Sequence, residues 1–205
     1  MQQIDDQAKT LAARISGLTP KGRRLMVAVA GPPGSGKSTL AEAVVAQLGD
    51  IAALMPMDGF HLDNRLLEPR GLLPRKGAPE TFDFDGLEAA LHRVAAAPSV
   101  MLPVFDRTRE IAIAGAQEIT PATQIVVAEG NYLCFSEPPW NRLQRLWDIT
   151  VFLEVPEDVL EQRLIDRWLA LGFAPEEARN KALANDIPNA RRMLAERGPA
   201  DVTLG

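Results

Sequence analysis

The residues best suited to chemistry stand together at Gly31-Pro32-Pro33-Gly34-Ser35-Gly36-Lys37-Ser38, which matches G-x-x-x-x-G-K-[ST] at every fixed position. The glycines let the backbone curl until its N–H groups point inward at a phosphate, and a helix starting there adds its positive end. Lys37 suits the β- and γ-phosphates, and the Ser38 hydroxyl suits Mg²⁺. The flanks agree. Leu25 to Ala30 is a short apolar run that reads as a strand buried on both faces, and Lys37 to about Leu48, closed by Gly49, reads as a helix. Residues 31–39, Thr39 included, are therefore expected to cradle ATP, with Mg²⁺ near Ser38 and a later acid, Glu129.

A phosphate loop fixes triphosphate binding but not the reaction. A guanine-reading switch would need N-K-x-D, and Asn180-Lys181-Ala182-Leu183 lacks the acid. An AAA-type motor would carry paired acids after its second buried strand, whereas Ala128-Glu129-Gly130 offers one acid and then glycine. A small-molecule kinase needs a base and a lid, and both have candidates here. Two other readings stay open: a hydrolase or regulator that passes phosphate only to water, and an ATP-binding partner protein without turnover.

The elements that must position these residues alternate. Residues 5–18 read as an amphipathic helix, 53–57 as a second strand weakened by Pro56, and 124–129 and 147–155 as further buried strands. Residues 100–105 and 118–120 are candidate short strands. Asp85 to Glu88 has the form of a capping box ahead of a helix over 86–96. Helices over 156–171 and from Pro175 onward, then a strand over 200–204, complete the chain. Strands alternating with helices imply an α/β fold of three layers with a mostly parallel sheet. Residues 60–82 have no clear period, and a long irregular insertion in a compact domain usually serves function.

The bulk numbers set outer limits. A chain of 205 residues fits one domain. Its net charge of −5 argues against a general nucleic-acid binder. No stretch approaches the roughly 20 apolar residues of a membrane span, and the N-terminus does not have the form of a signal peptide. A lone cysteine, Cys134, allows no internal disulfide and points to a reducing cytoplasm. A homodimer is compatible with the sequence.

Three further stretches carry a resemblance. Met57-Asp58-Gly59-Phe60-His61, then Arg75-Lys76-Gly77-Ala78-Pro79-Glu80-Thr81-Phe82-Asp83, then Val127-Ala128-Glu129-Gly130-Asn131-Tyr132-Leu133 accompany the phosphate loop. Together they resemble the phosphoribulokinase/uridine kinase family, in particular its pantothenate kinase-like branch and short bacterial proteins named as fructose transport system kinases. The resemblance runs from about residue 25 to the C-terminus. It implies a P-loop NTPase fold with five parallel strands in the order 2-3-1-4-5, and phosphoryl transfer from ATP to a hydroxyl of a sugar, a pantothenate-like molecule or a nucleoside. It implies that Asp58 is the general base and that Glu129 orders Mg²⁺. Asp106-Arg107 matches an acceptor-side motif, with Phe105 in place of the usual tyrosine. Arg163 and Arg167, spaced i, i+4 and so on one helix face, fall in the lid segment, about residues 163–186. Either could neutralise the transferring group, and either could belong to a salt-bridged surface helix. His61 could serve the acceptor, orient Asp58 or be structural. Arg75 and Lys76 suit an anionic or polyhydroxylated acceptor or a solvated loop. Asn189, with Asn185-Asp186, could hold the acceptor or cap the break at Pro188. Cys134 and the tryptophans read as structural.

Overall fold

A computed structural model describes residues 2–205. Strands β1 (Leu25–Ala30), β2 (Ala52–Pro56), β5 (Ile125–Gly130), β6 (Ile149–Leu153) and β7 (Val202–Leu204) form one parallel sheet, while β3 (Val100–Asp106) and β4 (Ile111–Ile119) pair as a separate antiparallel hairpin. The sheet order is β2-β5-β1-β6-β7. Counting the parallel strands alone in chain order, that is 2-3-1-4-5. The hairpin is what shifts the full numbering.

Period-two alternation divides the core. Leu25, Val27, Val29, Val127 and Val151 face one side, against Ala8, Leu11 and Ile15 of α1 (Gln2–Ser16) and Leu40 and Val44 of α2 (Lys37–Leu48). Met26, Ala28, Val126, Ala128 and Phe152 face the other, against Leu87, Leu91 and Val94 of α4 (Phe84–Ala96) and an aromatic group of Tyr132, Phe135 and Trp140. Successive strand side chains point to opposite faces, so a run apolar at every position must be covered twice. Pro56 falls at the end of an edge strand, where its missing N–H costs no ladder bond. Three short helices follow elsewhere in the chain: α3 (Asn64–Leu67), α6 (Pro175–Lys181) and α7 (Ile187–Ala195), with α5 (Glu157–Ala170) preceding the last two. Leu160 and Leu164 of α5 meet Ile187 and Ala190 of α7 in a small core of their own.

Several boundaries differ from the sequence reading. The cap of α4 is Asp83, which accepts from the Gly86 N–H at 3.0 Å, while Glu88 pairs with Arg142 instead of reaching back to Asp85. The strand expected at 118–120 is the end of a nine-residue strand. The run 147–155 is strand only over 149–153, because Trp147 packs into the opposite core and donates to the Leu133 carbonyl.

Arg24 is fully buried, with no carboxylate partner among the described residues. Its guanidinium donates to the carbonyls of Thr123, Val94, Ala97, Pro98 and Thr120 at 2.6–3.0 Å. Val94 and Ala97 are terminal carbonyls of α4, so the charge also meets the negative end of that helix. Burial lowers the Arg24 pKa. Arg24→Met keeps the apolar stem but strands five carbonyl acceptors, some buried and some part-buried, and breaking such a network costs about 3–5 kcal/mol. Urea unfolding should show a large fall in midpoint with an unchanged m value.

Candidate active site

The parallel register brings the functional segments to one edge of the sheet. Glu129 lies opposite Val29 of β1 and Pro56 of β2, so the phosphate loop, the turn at 57–60 and the end of β5 emerge side by side. Close approach is built into two glycines. A Cβ on Gly130 would sit 2.4 Å from the Met57 Cβ, and one on Gly59 would sit 2.3 Å from the Pro103 carbonyl oxygen. The Asp58 turn is thus wedged between β5 and the hairpin, with no room for a side chain at either contact.

Gly36 ends the phosphate loop at φ +91°, a left-handed conformation that glycine takes without strain, and α2 starts at the next residue. The first N–H groups of a helix lack intrahelical partners, and the buried Ser35 hydroxyl has no hydrogen-bond partner among the described residues. Such a cradle of donors fits a polyphosphate. Ser38 Oγ donates to Glu129 Oε2 at 3.0 Å. A hydroxyl joined to one carboxylate fits Mg²⁺, which takes one or two protein oxygens and fills its octahedron with water and phosphate. No cluster of three or more His, Cys, Asp or Glu suited to a metal occurs among the described residues.

Lys37 is half-buried. Burial lowers its pKa, and Glu129 and Asp58 push it back up. Arg167 and Arg107 are the other charges it senses. Glu129 is shifted the opposite way: burial raises its pKa, with Lys37 opposing. The Asp58 carboxylate accepts from Arg107, lies 3.8 Å from His61 Nε2, and takes no backbone N–H among the described residues. It is therefore not a turn cap. His61 stacks on Phe82 at a centroid distance of 4.1 Å and lies 4.8 Å from Phe105. Burial pulls its pKa down to about 4, even with Asp58 nearby to raise it. It is a neutral ring with an unpartnered Nδ1.

The titration of His61 carries a stability consequence. In the unfolded chain it takes up a proton near pH 6.5, and in the native protein only near 4. Between those values the unfolded state binds more protons, so stability falls as pH falls. His61→Phe, which keeps an aromatic ring in the stack, should remove this component. Between pH 7 and 4.5 the wild type is expected to lose about 2–3 kcal/mol more than the variant. Urea midpoints at the two pH values test this, and parallel losses would place the acid-sensitive group elsewhere.

Other sequence candidates divide sharply. Lys76 Nζ bonds Asn64 Oδ1 at 2.7 Å and the Glu110 carbonyl at 3.0 Å, and lies 5.1 Å over Phe105, beside the His61 stack. Its neighbour Arg75 is engaged with Glu80 at 2.7 Å. Arg107 reaches Asp58, but Asp106 holds its own turn, accepting from the N–H groups of Thr108 and Arg109 and from Arg109 Nε. Asp106 is thus engaged within its own turn, and Arg75 and Lys76 are both ion-paired, with Glu80 and Glu110. Arg163 donates to the carbonyls of Gly34 and Ser35 at 3.2 and 3.4 Å, so it braces the phosphate loop, whereas Arg167, one turn further along α5, places a positive charge within range of Lys37. Asn189 is buried and donates to Asn185, which in turn donates to the Lys76 carbonyl at 3.0 Å. This chain ties residues 185–189 to the loop at 76–81, and Tyr132, just past β5, holds the same loop by donating to the Gly77 carbonyl at 2.7 Å. Tyr132 was visible only as an aromatic after a strand, with nothing to mark its hydroxyl. Cys134 is buried, with its thiol pushed up to about 12, and is inert.

The model of the family described as phosphoribulokinase / uridine kinase matches residues 26–170. The chain belongs to that family. It is a P-loop kinase of the uridine kinase, pantothenate kinase and phosphoribulokinase type. The uncharacterized protein YggC of Escherichia coli is 34% identical over 99% of this chain and 87% of its own length. A pantothenate kinase of Cutibacterium acnes is 30% identical over 71% of this chain, which spans only about half of that enzyme, 48%. A crystal structure from Silicibacter, of a protein provisionally named a fructose transport system kinase, superposes with a TM-score of 0.91 at 49% identity, covering 98% of both chains. No helix among the described residues is long and apolar enough to cross a membrane.

Proposed function

We propose that this family member is an ATP- and Mg²⁺-dependent kinase that phosphorylates a hydroxyl of a small metabolite, with 1–205 acting as one domain. The observation that carries the reading is the placement of Asp58, a carboxylate free of backbone bonds, within charge range of Lys37 and next to the Ser38–Glu129 pair. Mg²⁺ held at Ser38 and Glu129 would supply charge neutralisation. Asp58 takes the acceptor's hydroxyl proton as that oxygen bonds to the γ-phosphorus, and the bond from phosphorus to the bridging oxygen breaks with its electrons leaving on ADP. Lys37 and Arg167 stabilise the charge that builds on the phosphoryl oxygens, and Arg163 keeps the loop in shape. His61, Lys76 and Arg107 line the acceptor side.

The acceptor is the open variable. A ketose sugar such as fructose is the first to test, given the name of the 49%-identical Silicibacter protein, with pantothenate and nucleosides next. ADP release from ATP should rise at least about tenfold with one hydroxyl acceptor over water alone, since a bound, oriented nucleophile gains effective molarity. Equal ADP release with every acceptor and without any would favour a hydrolase.

A further inference from the structure

The mechanism makes no use of a cavity of about 500 Å³ that adjoins the phosphate loop at Gly34–Gly36 and contains none of Lys37, Asp58 or Glu129 in its lining. Its walls are mostly apolar, from Ile4, Leu153 and Val159, and its polar groups include Gln3, Gln7 and Arg163. The size and chemistry are those of a small-ligand pocket: apolar walls with a few placed polar groups. Arg163 joins it to the loop through its bonds to the Gly34 and Ser35 carbonyls. The reacting end of a bound triphosphate belongs with Lys37, Ser38 and Glu129. A cavity reached past Gly34 is then open to the other end of the molecule.

Two of the polar groups come from an unexpected place. Gln3 and Gln7 lie on α1, before residue 26, outside the segment that matches the family model. Their i, i+4 spacing puts both amides on one helix face. The helix is firmly seated: Ala8, Leu11 and Ile15 are buried against α2, the helix that carries Lys37 and Ser38, and Arg14 donates to the Asp201 carbonyl just before β7. A carboxamide presents a donor and an acceptor together, which pairs with the N6 amino group and N7 of adenine. The same two positions on guanine are both acceptors.

We propose that the first two turns of α1 form a wall of the nucleobase pocket and that Gln3 and Gln7 select adenine. The inference rests on the phosphate-loop reading above, so the test separates the two. Binding of ATP, GTP and inorganic tripolyphosphate is measured by calorimetry for the wild type, a Gln3→Ala/Gln7→Ala double variant, and Ile4→Trp, which fills the cavity. The wild type should bind ATP at least about tenfold more tightly than GTP, and more tightly than tripolyphosphate. The double variant should lose that preference, with ATP weakened about tenfold and tripolyphosphate unchanged. Ile4→Trp should likewise weaken ATP and spare tripolyphosphate. Retention of ATP affinity and base preference by both variants would overturn the proposal, as would wild-type binding of tripolyphosphate as tight as that of ATP. In either case the phosphate-loop reading survives. Failure of the wild type to bind any of the three would overturn that reading as well.

Discussion

Lys37→Ala is expected to lower phosphoryl-transfer turnover by about 10²–10³-fold or more at saturating ATP, with the fold retained. Lys37 is the half-buried cation on which Glu129, Asp58, Arg167 and Arg107 all act. Its charge is aimed at the place where negative charge grows during transfer, and such preorganised charges supply most of the rate in phosphoryl transfer. Losing the half-buried ammonium removes a desolvation cost, but it also leaves Glu129 and Asp58 without their counter-charge. These effects oppose each other, so the urea midpoint should move little compared with the rate. Lys37→Arg should rescue poorly, because a planar fork does not replace a compact point charge at the mouth of a tight loop. The check is steady-state turnover with ATP binding measured separately. Turnover near that of the wild type would show that the loop acts without its lysine.

The parts of this molecule that could be read from sequence are those whose determinants are local. The phosphate loop works through backbone curvature at glycines and two side chains adjacent in sequence, so eight residues specify it. The central strands were legible because Val27, Val29, Val126 and Val127 are apolar at every position, which only burial on both faces explains. The first hairpin strand was legible at 100–105, but β4 was seen only at its end: its burial alternates, yet Ile111-Ala112-Ile113-Ala114 is apolar on both faces and Gly115 at φ +65° interrupts the run, so the sequence shows no polar contrast. Direction is the other thing that sequence hides. Arg75 and Lys76 are neighbours, yet Arg75 pairs with Glu80 while Lys76 pairs with Glu110 and lies over Phe105 beside His61. Asp106 and Arg107 part in the same way, one into its own turn and one onto Asp58. Arg163 and Arg167 share a helix face but meet different groups, one the loop carbonyl of Gly34 and the other the charge of Lys37, because they are one turn apart along α5. Adjacent residues on a turn or strand point apart, so tertiary packing alone decides which of a basic pair enters a site.

The sharpest expected result concerns Asp58→Asn. Asparagine matches aspartate in size but is a poor base. A purely capping aspartate would tolerate the change, since both residues cap well. The Asp58 carboxylate takes no backbone N–H among the described residues, and its partners are the Arg107 guanidinium and, at 3.8 Å, the neutral His61 ring. Nothing in the turn therefore depends on its charge, and the variant should fold. ATP affinity should stay within a few fold, because the cradle at 31–39 and the Ser38–Glu129 pair are untouched. Phosphoryl transfer to the acceptor should fall by about 10²–10⁴-fold, the usual contribution of a positioned general base. Turnover that barely changes would move the proton to Glu129, whose burial-raised pKa makes it the next base in line. Loss of ATP·Mg²⁺ binding would instead place Asp58 in the metal site. Nucleotide binding and single-turnover transfer, measured on the same variant, distinguish the three assignments.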